Sequence, residues 1–236
     1  MRNRREPTMP FAIVTTPSPF FSIVLPTFNR RRLVARAIES VLAQSFQDFE
    51  LLIIDDGSRD NTHEMVLPFV HSDARVRYHY GQNRGLALAR NLGLQMSTGR
   101  YITFLDSDDE YLSSHLRIRA AHLVQHSEIQ LLHGGVEIVG DAYVADKFHP
   151  ERKIHLSECV IGGTFVVRRD LAEQLEGFHD IAYGDDNDFF ERATHSGAII
   201  EKLSDPTYRY YRNEADSLCA IVEREGIAGI EKFRKV

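Results

Sequence analysis

Three short acidic clusters are the residues of this chain best suited to chemistry. Asp106-Ser107-Asp108-Asp109 follows Tyr101-Ile102-Thr103-Phe104-Leu105, whose apolar, aromatic and β-branched residues are those of a buried strand. Carboxylates this close repel one another, so a divalent cation or a set of donors is expected to compensate them. A strand ending in such a turn puts hard oxygen ligands at the carboxyl edge of a sheet, where open α/β sheets bind ligands. The plainer reading is an acidic turn whose last Asp caps the next helix. Asp55-Asp56 closes a second apolar run, with a tight turn at Gly57 as the competing account. Asp185-Asp186-Asn187-Asp188 opens a helix after Gly184, where the helix dipole alone favours acids. Capping accounts for one such cluster more easily than for three in one sheet-based domain. A site handling a metal and a polar leaving group needs about this equipment.

The elements that would position these clusters alternate through the first half. Phe21 to Leu25 and Leu51 to Ile54 read as strands, Val76 to Tyr80 as a weaker third, and Leu33 to Ala43 carries apolar residues at helical spacing. Asp60 or Asn61 is placed to cap a helix running towards Phe69, and a further helix spans Leu86 to Met96. Ser113 or Ser114 opens a helix to about His126, and Ile129 to His133 makes another strand. This alternation predicts an α/β fold with a mainly parallel central sheet and right-handed crossovers. The second half is less regular. Val136 to Ser157 reads as a long loop, Gly162 to Val167 as a strand, and Arg169 to Leu175 and Asp186 to His195 as helices. Ile199 to Leu203 and Tyr208 to Tyr211 read as separate edge strands. Phe165, Phe178, Phe189 and Phe190 read as core, and His115, His122 and His126 as surface positions.

At 236 residues the chain fits one domain, expected over 20–218, with a flexible leader at 1–19 and a helical tail at 219–236. A net charge of −6 and the lack of a basic stripe argue against nucleic acid. Cys159 and Cys219 form no pair motif, so a disulfide framework or zinc site is not expected. No window reaches the length of a membrane span. These features suggest a cytoplasmic protein, with any membrane contact peripheral to the inner face.

The ordered motifs resemble family 2 inverting glycosyltransferases. The likeness is dense over Ser22-Ile23-Val24-Leu25-Pro26-Thr27-Phe28-Asn29-Arg30, Ser40 to Phe46 and Ile54-Asp55-Asp56-Gly57-Ser58. It continues through Asn83-Arg84-Gly85 and Ala89-Arg90-Asn91 to Gly99 through Asp109, and resumes at Gly163 to Arg168 and Gly177-Phe178 through Arg192. The resemblance implies a GT-A fold, a nucleotide-diphosphate sugar donor, with a uridine nucleotide the favoured choice, and a role in polysaccharide biosynthesis. It implies that Asp56 accepts a hydrogen bond from the base, and that Pro26, Phe28 and Asn29 line the nucleotide cleft with Arg84 and Arg90 nearby. Asp106 would meet the ribose or the metal shell, and Asp108 a Mn²⁺ or Mg²⁺ on the diphosphate. Asp186 matches the general base. Asp185 stands where the family usually has Glu, beside the acceptor. The acceptor itself, a saccharide or a lipid-linked glycan, is left open. Many relatives carry a His before a Ser-Leu-Ser near the end; that position here is Glu214, itself an oxygen donor. Two other classes share the architecture. One is a nucleotidyltransferase, which would want a glycine-rich phosphate loop unlike Pro26-Thr27-Phe28-Asn29. The other is a non-catalytic nucleotide-sugar-binding protein, which loss of the base position would support.

Overall fold

The computed structural model describes residues 18–146, 152–212, 217–226 and 228–230. The expected leader therefore lies almost wholly outside the described residues. Strand β1 (Phe21–Thr27) is buried at every position, so both its faces need a cover. Helix α1 (Val34–Leu42) returns the chain to β2 (Phe49–Asp55), and α2 (Thr62–Ser72) returns it to β3 (Val76–Tyr80). Helix α3 (Leu86–Met96) then crosses back to β4 (Tyr101–Phe104). β1 pairs in parallel with β2 and β4, and β2 with β3, giving the local order β3-β2-β1-β4. This half follows the sequence expectation closely. One detail differs at the start of α2: Asn61 is left-handed and caps nothing, while Asp60 Oδ1 accepts from Thr62 N at 3.1 Å.

The chain continues through β5 (Glu110–Tyr111), α4 (His115–Gln125), β6 (Leu131–Val139), β7 (Tyr143–Ala145) and β8 (Lys153–His155). It ends in β9 (Val166–Arg168), α5 (Arg169–Gln174), α6 (Asp185–His195), β10 (Ile200–Tyr211) and α7 (Leu218–Glu225). The eight-stranded sheet runs β3-β2-β1-β4-β9-β6-β10-β5. Its β6–β10 pair is parallel, whereas β9 is antiparallel to both β4 and β6, and β5 to β10. One apolar layer packs α1, α2 and α4 against Phe21, Ile23, Leu25, Leu51 and Ile53. The other packs α3, α5 and α6 against Val24, Leu52, Ile54, Ile102 and Phe104. Alternate residues of each strand thus face opposite helical layers, as the pleat requires.

Four expectations need correction. The stretch 136–157 is not one long loop: β6 runs on to Val139, and β7 and β8 form an antiparallel hairpin. Gly162–Thr164 is a single 3₁₀ turn, and the strand begins only at Val166. The two edge strands are one strand, β10, with an irregularity between Leu203 and Tyr208, and it lies inside the sheet. His115 is fully buried, its ring stacked on Tyr111 at 3.7 Å and Nδ1 3.1 Å from Thr207 Oγ1, so burial pushes its pKa well below the usual value. The phenylalanines behave as core: Phe165, Phe178 and Phe189 are buried and Phe190 packs against them. Among the described residues no helix is long and apolar enough to cross a membrane.

Candidate active site

The crossover after β1 runs to one side and β4 lies on the other, so the gap beside the carboxyl end of β1 is where the strand order reverses. Ligands of open α/β sheets bind at such a point. A cavity of about 470 Å³ opens there, lined at this end by Pro26, Thr27, Phe28, Asp56, Asp106 and Asp108.

Asp56 is held as β2 runs out. Its N–H donates to Thr27 O at 2.9 Å, and its two carboxylate oxygens accept from Arg84 N at 2.8 Å and Gly85 N at 2.7 Å. A carboxylate set just before the N-terminus of α3 is favoured by the helix dipole as well as by these two bonds. Neighbouring Asp55 is fully buried and ties Ser58 N and the Tyr78 hydroxyl. Asn29 and Arg84 stand beside this cavity, between residues that line it. Asn29, left-handed at φ 52°, takes Arg59 N on its Oδ1 and donates its own N–H to Ser58 Oγ, which knits two loops together. Arg84 is exposed, and it is its backbone N–H that meets Asp56. Neither is among the residues lining the cavity.

The acidic turn after β4 divides its three carboxylates. Asp106 and Asp108 line the cavity, with Asp106 Oδ1 3.1 Å from Arg90 and Asp108 Oδ2 3.9 Å from Arg30. Asp109 points the other way and is fully buried, accepting from the Tyr208 hydroxyl at 2.6 Å and Tyr211 N at 2.8 Å. Burial, and then the charges of Asp108 and Asp106, push its pKa well above the carboxylate range. It does not cap α4; it fastens the turn to β10.

The third cluster meets the first two. Gly184, left-handed at φ 81°, lets the chain turn into α6, and Asp185 and Asp186 form its first turn. Asp186 Oδ2 accepts from Gly162 N at 3.0 Å and Oδ1 from Asn187 N at 2.8 Å. Burial, then the adjacent Asp185 charge, push its pKa up to about 6, with Arg90 and the two N–H donors working against them. Arg90, only 3% exposed, donates to Asp185 Oδ2 at 2.7 Å and to Asp106 Oδ1 at 3.1 Å. The neighbouring carboxylates outweigh its burial and hold it firmly protonated. The resemblance implied only that Arg90 lies near the cleft. It is a buried link between the two acidic segments, and it also lines the cavity.

Gly162 was missed as a site residue. A Cβ there would lie 2.8 Å from Asp186 Cβ, so only glycine brings this N–H to the carboxylate. The Gly162-Gly163 pair was the available signal, absorbed into a strand that starts later. Arg30 was quoted only within a motif, and Tyr208 only within an edge strand. Glu214 lies outside the described residues.

Among the described residues no three His, Cys, Asp or Glu side chains converge as a metal-binding set. Asp106 and Asp108 offer two carboxylates to the same cavity. That suits Mg²⁺ or Mn²⁺, which are commonly held by one or two carboxylates and completed by substrate phosphates.

Comparison with known proteins agrees with this geometry. The family model described as "Glycosyl transferase family 2" matches residues 22–175. A UDP-Glc:alpha-D-GlcNAc-diphosphoundecaprenol beta-1,3-glucosyltransferase of Escherichia coli is 36% identical over 62% of this chain and 58% of its own. A GalNAc(5)-diNAcBac-PP-undecaprenol beta-1,3-glucosyltransferase of Campylobacter jejuni is 41% identical over 42% of this chain and 32% of its own. The chain thus corresponds to part of each. Among solved structures, S. aureus TarS 1-349 in complex with UDP-GlcNAc superposes with a TM-score of 0.71 at 21% identity, covering 91% of this chain and 65% of that one. The mannosyltransferase PcManGT of Pyrobaculum calidifontis, in complex with GDP-Man and Mn²⁺, gives 0.66 at 19% identity, covering 93% and 61%. These likenesses show the GT-A fold expected from the motifs. With a family match over most of its length and acidic segments meeting at one cavity, the chain belongs to glycosyl transferase family 2.

Proposed function

We propose that the protein transfers a sugar from a nucleotide-diphosphate donor to an acceptor hydroxyl, with inversion and with Asp186 as general base. The observation that carries this reading is the setting of Asp186: a cavity-lining carboxylate with a pKa of about 6, beside two further acidic segments. A base poised near the working pH is largely ionised yet still a useful proton acceptor. Asp186 takes the proton of the acceptor hydroxyl as that oxygen bonds to the sugar carbon, and the bond to the diphosphate oxygen breaks on the opposite face. Gly162 N–H orients one oxygen of the base, and Arg90 keeps its neighbour Asp185 paired.

Asp106 and Asp108 are assigned to the divalent ion, which when bound stabilises charge on the departing diphosphate. Pro26, Phe28 and Asp56 are assigned to the nucleotide. A UDP-sugar is the favoured donor, supported by the UDP-GlcNAc complex of TarS and the name of the E. coli relative. A lipid-linked glycan acceptor is supported by the names of both curated relatives, which fits a cytoplasmic protein working at the membrane surface.

The test is Asp186→Asn, assayed with a panel of UDP-sugars, Mn²⁺ and undecaprenol-diphosphate glycans. Asn keeps the shape and accepts the Gly162 N–H, but takes no proton at neutral pH. Transfer is expected to fall roughly 10²–10⁴-fold while donor affinity stays within a few-fold. Near-parental transfer by this variant would refute the assignment.

A further inference from the structure

Past the carboxylates the same cavity runs on between the β7–β8 hairpin and α7, and its lining changes character. Val144, Ile154 and Leu156 come from the hairpin and the turn after it, Val160 follows, and Leu218 and Ile221 come from α7. Val144, Leu156 and Ile221 are themselves buried, so this wall is packed rather than loosely draped. Its tyrosines and thiol turn their polar atoms on one another: Tyr183 Oη lies 3.8 Å and Tyr210 Oη 3.4 Å from Cys219 Sγ. Burial raises the pKa of all three, which keeps them neutral. Among the described residues, the charged side chains lining this half are the carboxylates Asp146 and the exposed Glu158.

Asp186 stands where the two halves meet. Its charge acts on Arg90 on one side and on Tyr183, Cys159 and Cys219 on the other. Displacement with inversion brings the acceptor to the base from the side away from the diphosphate. Whatever the accepting sugar carries is then directed towards the apolar wall. Set against those aliphatic side chains, a polyhydroxylated group would give up water without gaining a partner for each hydroxyl. A hydrocarbon would give up nothing.

We infer that this half of the cavity is a subsite for a hydrocarbon aglycone, carried by an acceptor whose sugar hydroxyl is presented to Asp186. The inference rests on the transfer reading for its orientation. The hydrocarbon could be joined to the sugar directly or through a diphosphate, as in a polyprenyl carrier, and the two sources share the chemistry the wall recognises.

The experiment reads binding, not turnover, so its failure is separable from failure of the Asp186→Asn test. The full chain, with UDP and Mn²⁺ present, is titrated calorimetrically with n-alkyl β-D-glucosides from methyl to octyl, below their micelle concentrations. A second arm uses n-alkyl diphosphates of matching length. Affinity is expected to rise about two- to fourfold per methylene in at least one series. The steeper series identifies the source. Ile154→Ser and Val144→Ser, each checked by its melting temperature, should flatten that dependence and leave UDP affinity within twofold. Affinity independent of chain length in both series overturns the proposal whatever the variants do. So does a chain-length dependence that both folded variants retain unchanged.

Discussion

A carboxylic acid whose folded pKa is raised destabilises the fold when it ionises, and Asp186 is such a group. Its ordinary value is 3.8 and its folded value about 6, so between them the folded state holds the extra proton and stability falls as pH rises. Transfer by the parent should climb about tenfold per pH unit up to roughly pH 6 and then level off, a limb that Asp186→Asn lacks. Asn accepts only one of the two N–H bonds that Asp186 takes, a loss independent of pH. The difference in stability should therefore move in the variant's favour by on the order of 1 kcal/mol, after solvent screening, as pH rises from 3.8 to about 6. A melting difference that does not change with pH would contradict the raised value. Asp108 makes a different prediction. Asp108→Ala should weaken UDP-sugar binding at least tenfold in Mn²⁺ and hardly at all in chelator; calorimetry showing equal loss in both would remove it from the metal assignment. For Asp56 the structure sharpens the question, because both its oxygens already hold Arg84 N and Gly85 N. Asp56→Ala should cost about 2–4 kcal/mol of stability through two lost charge-assisted bonds. If it also recognises the base, the preference for uridine over other nucleotides should flatten. Unchanged selectivity in a competition series would leave it as a loop clamp alone.

Between elements, the bond that matters most for the acidic turn is the one from β10. Tyr208 is fully buried, its hydroxyl donates to Asp109, and Gly163 is the residue that makes room for it. Tyr208→Phe removes that donor and leaves a buried carboxyl short of a partner, for about 1–3 kcal/mol. If the brace sets Asp106 and Asp108, the variant should also need several-fold more Mn²⁺ for half-maximal donor binding, while UDP affinity in chelator stays as it was. An unchanged metal requirement with a lowered melting temperature would make Tyr208 purely structural. This brace was hidden from sequence reasoning, and the reason is general to the second half. β1 to β4 and their helices carry their own apolar periodicity and turn signals, so they could be read locally. The β7–β8 hairpin has three-residue strands, too short to show a period, and Gly162 and Gly163 are required by the close approach of Asp186 and Tyr208, both distant in sequence. His115 looked like a polar surface residue because nothing near it in sequence announces Tyr111 stacking or Thr207. The clusters of the site were legible as acids at strand and helix ends; their pairing through Arg90 was not, since the partners lie 16 and 95 positions away.

Across the whole molecule, β9 is the seam. It pairs with β4 on one side and β6 on the other, and so joins the early parallel strands to the later ones. Ending the chain after residue 129 would strip β4 of that neighbour and uncover the apolar layer that Phe165, Val167, Leu171 and Phe189 close. Such a fragment should aggregate or lack a cooperative melt, as soluble yield and circular dichroism would show; a monomer with a sharp transition would contradict it. The order of segments around the cavity has an evolutionary side. The residues assigned to donor and metal all precede β5, whereas the aliphatic side chains of the apolar wall, Val144, Ile154, Leu156, Val160, Leu218 and Ile221, all follow it. A descendant lineage could therefore exchange one acceptor for another by rewriting the later stretches, inheriting its donor chemistry untouched. Position 90 has no such freedom, because its guanidinium answers to an acid from each half. Divergence should accumulate on the hairpin and the last helix and stop short of that arginine.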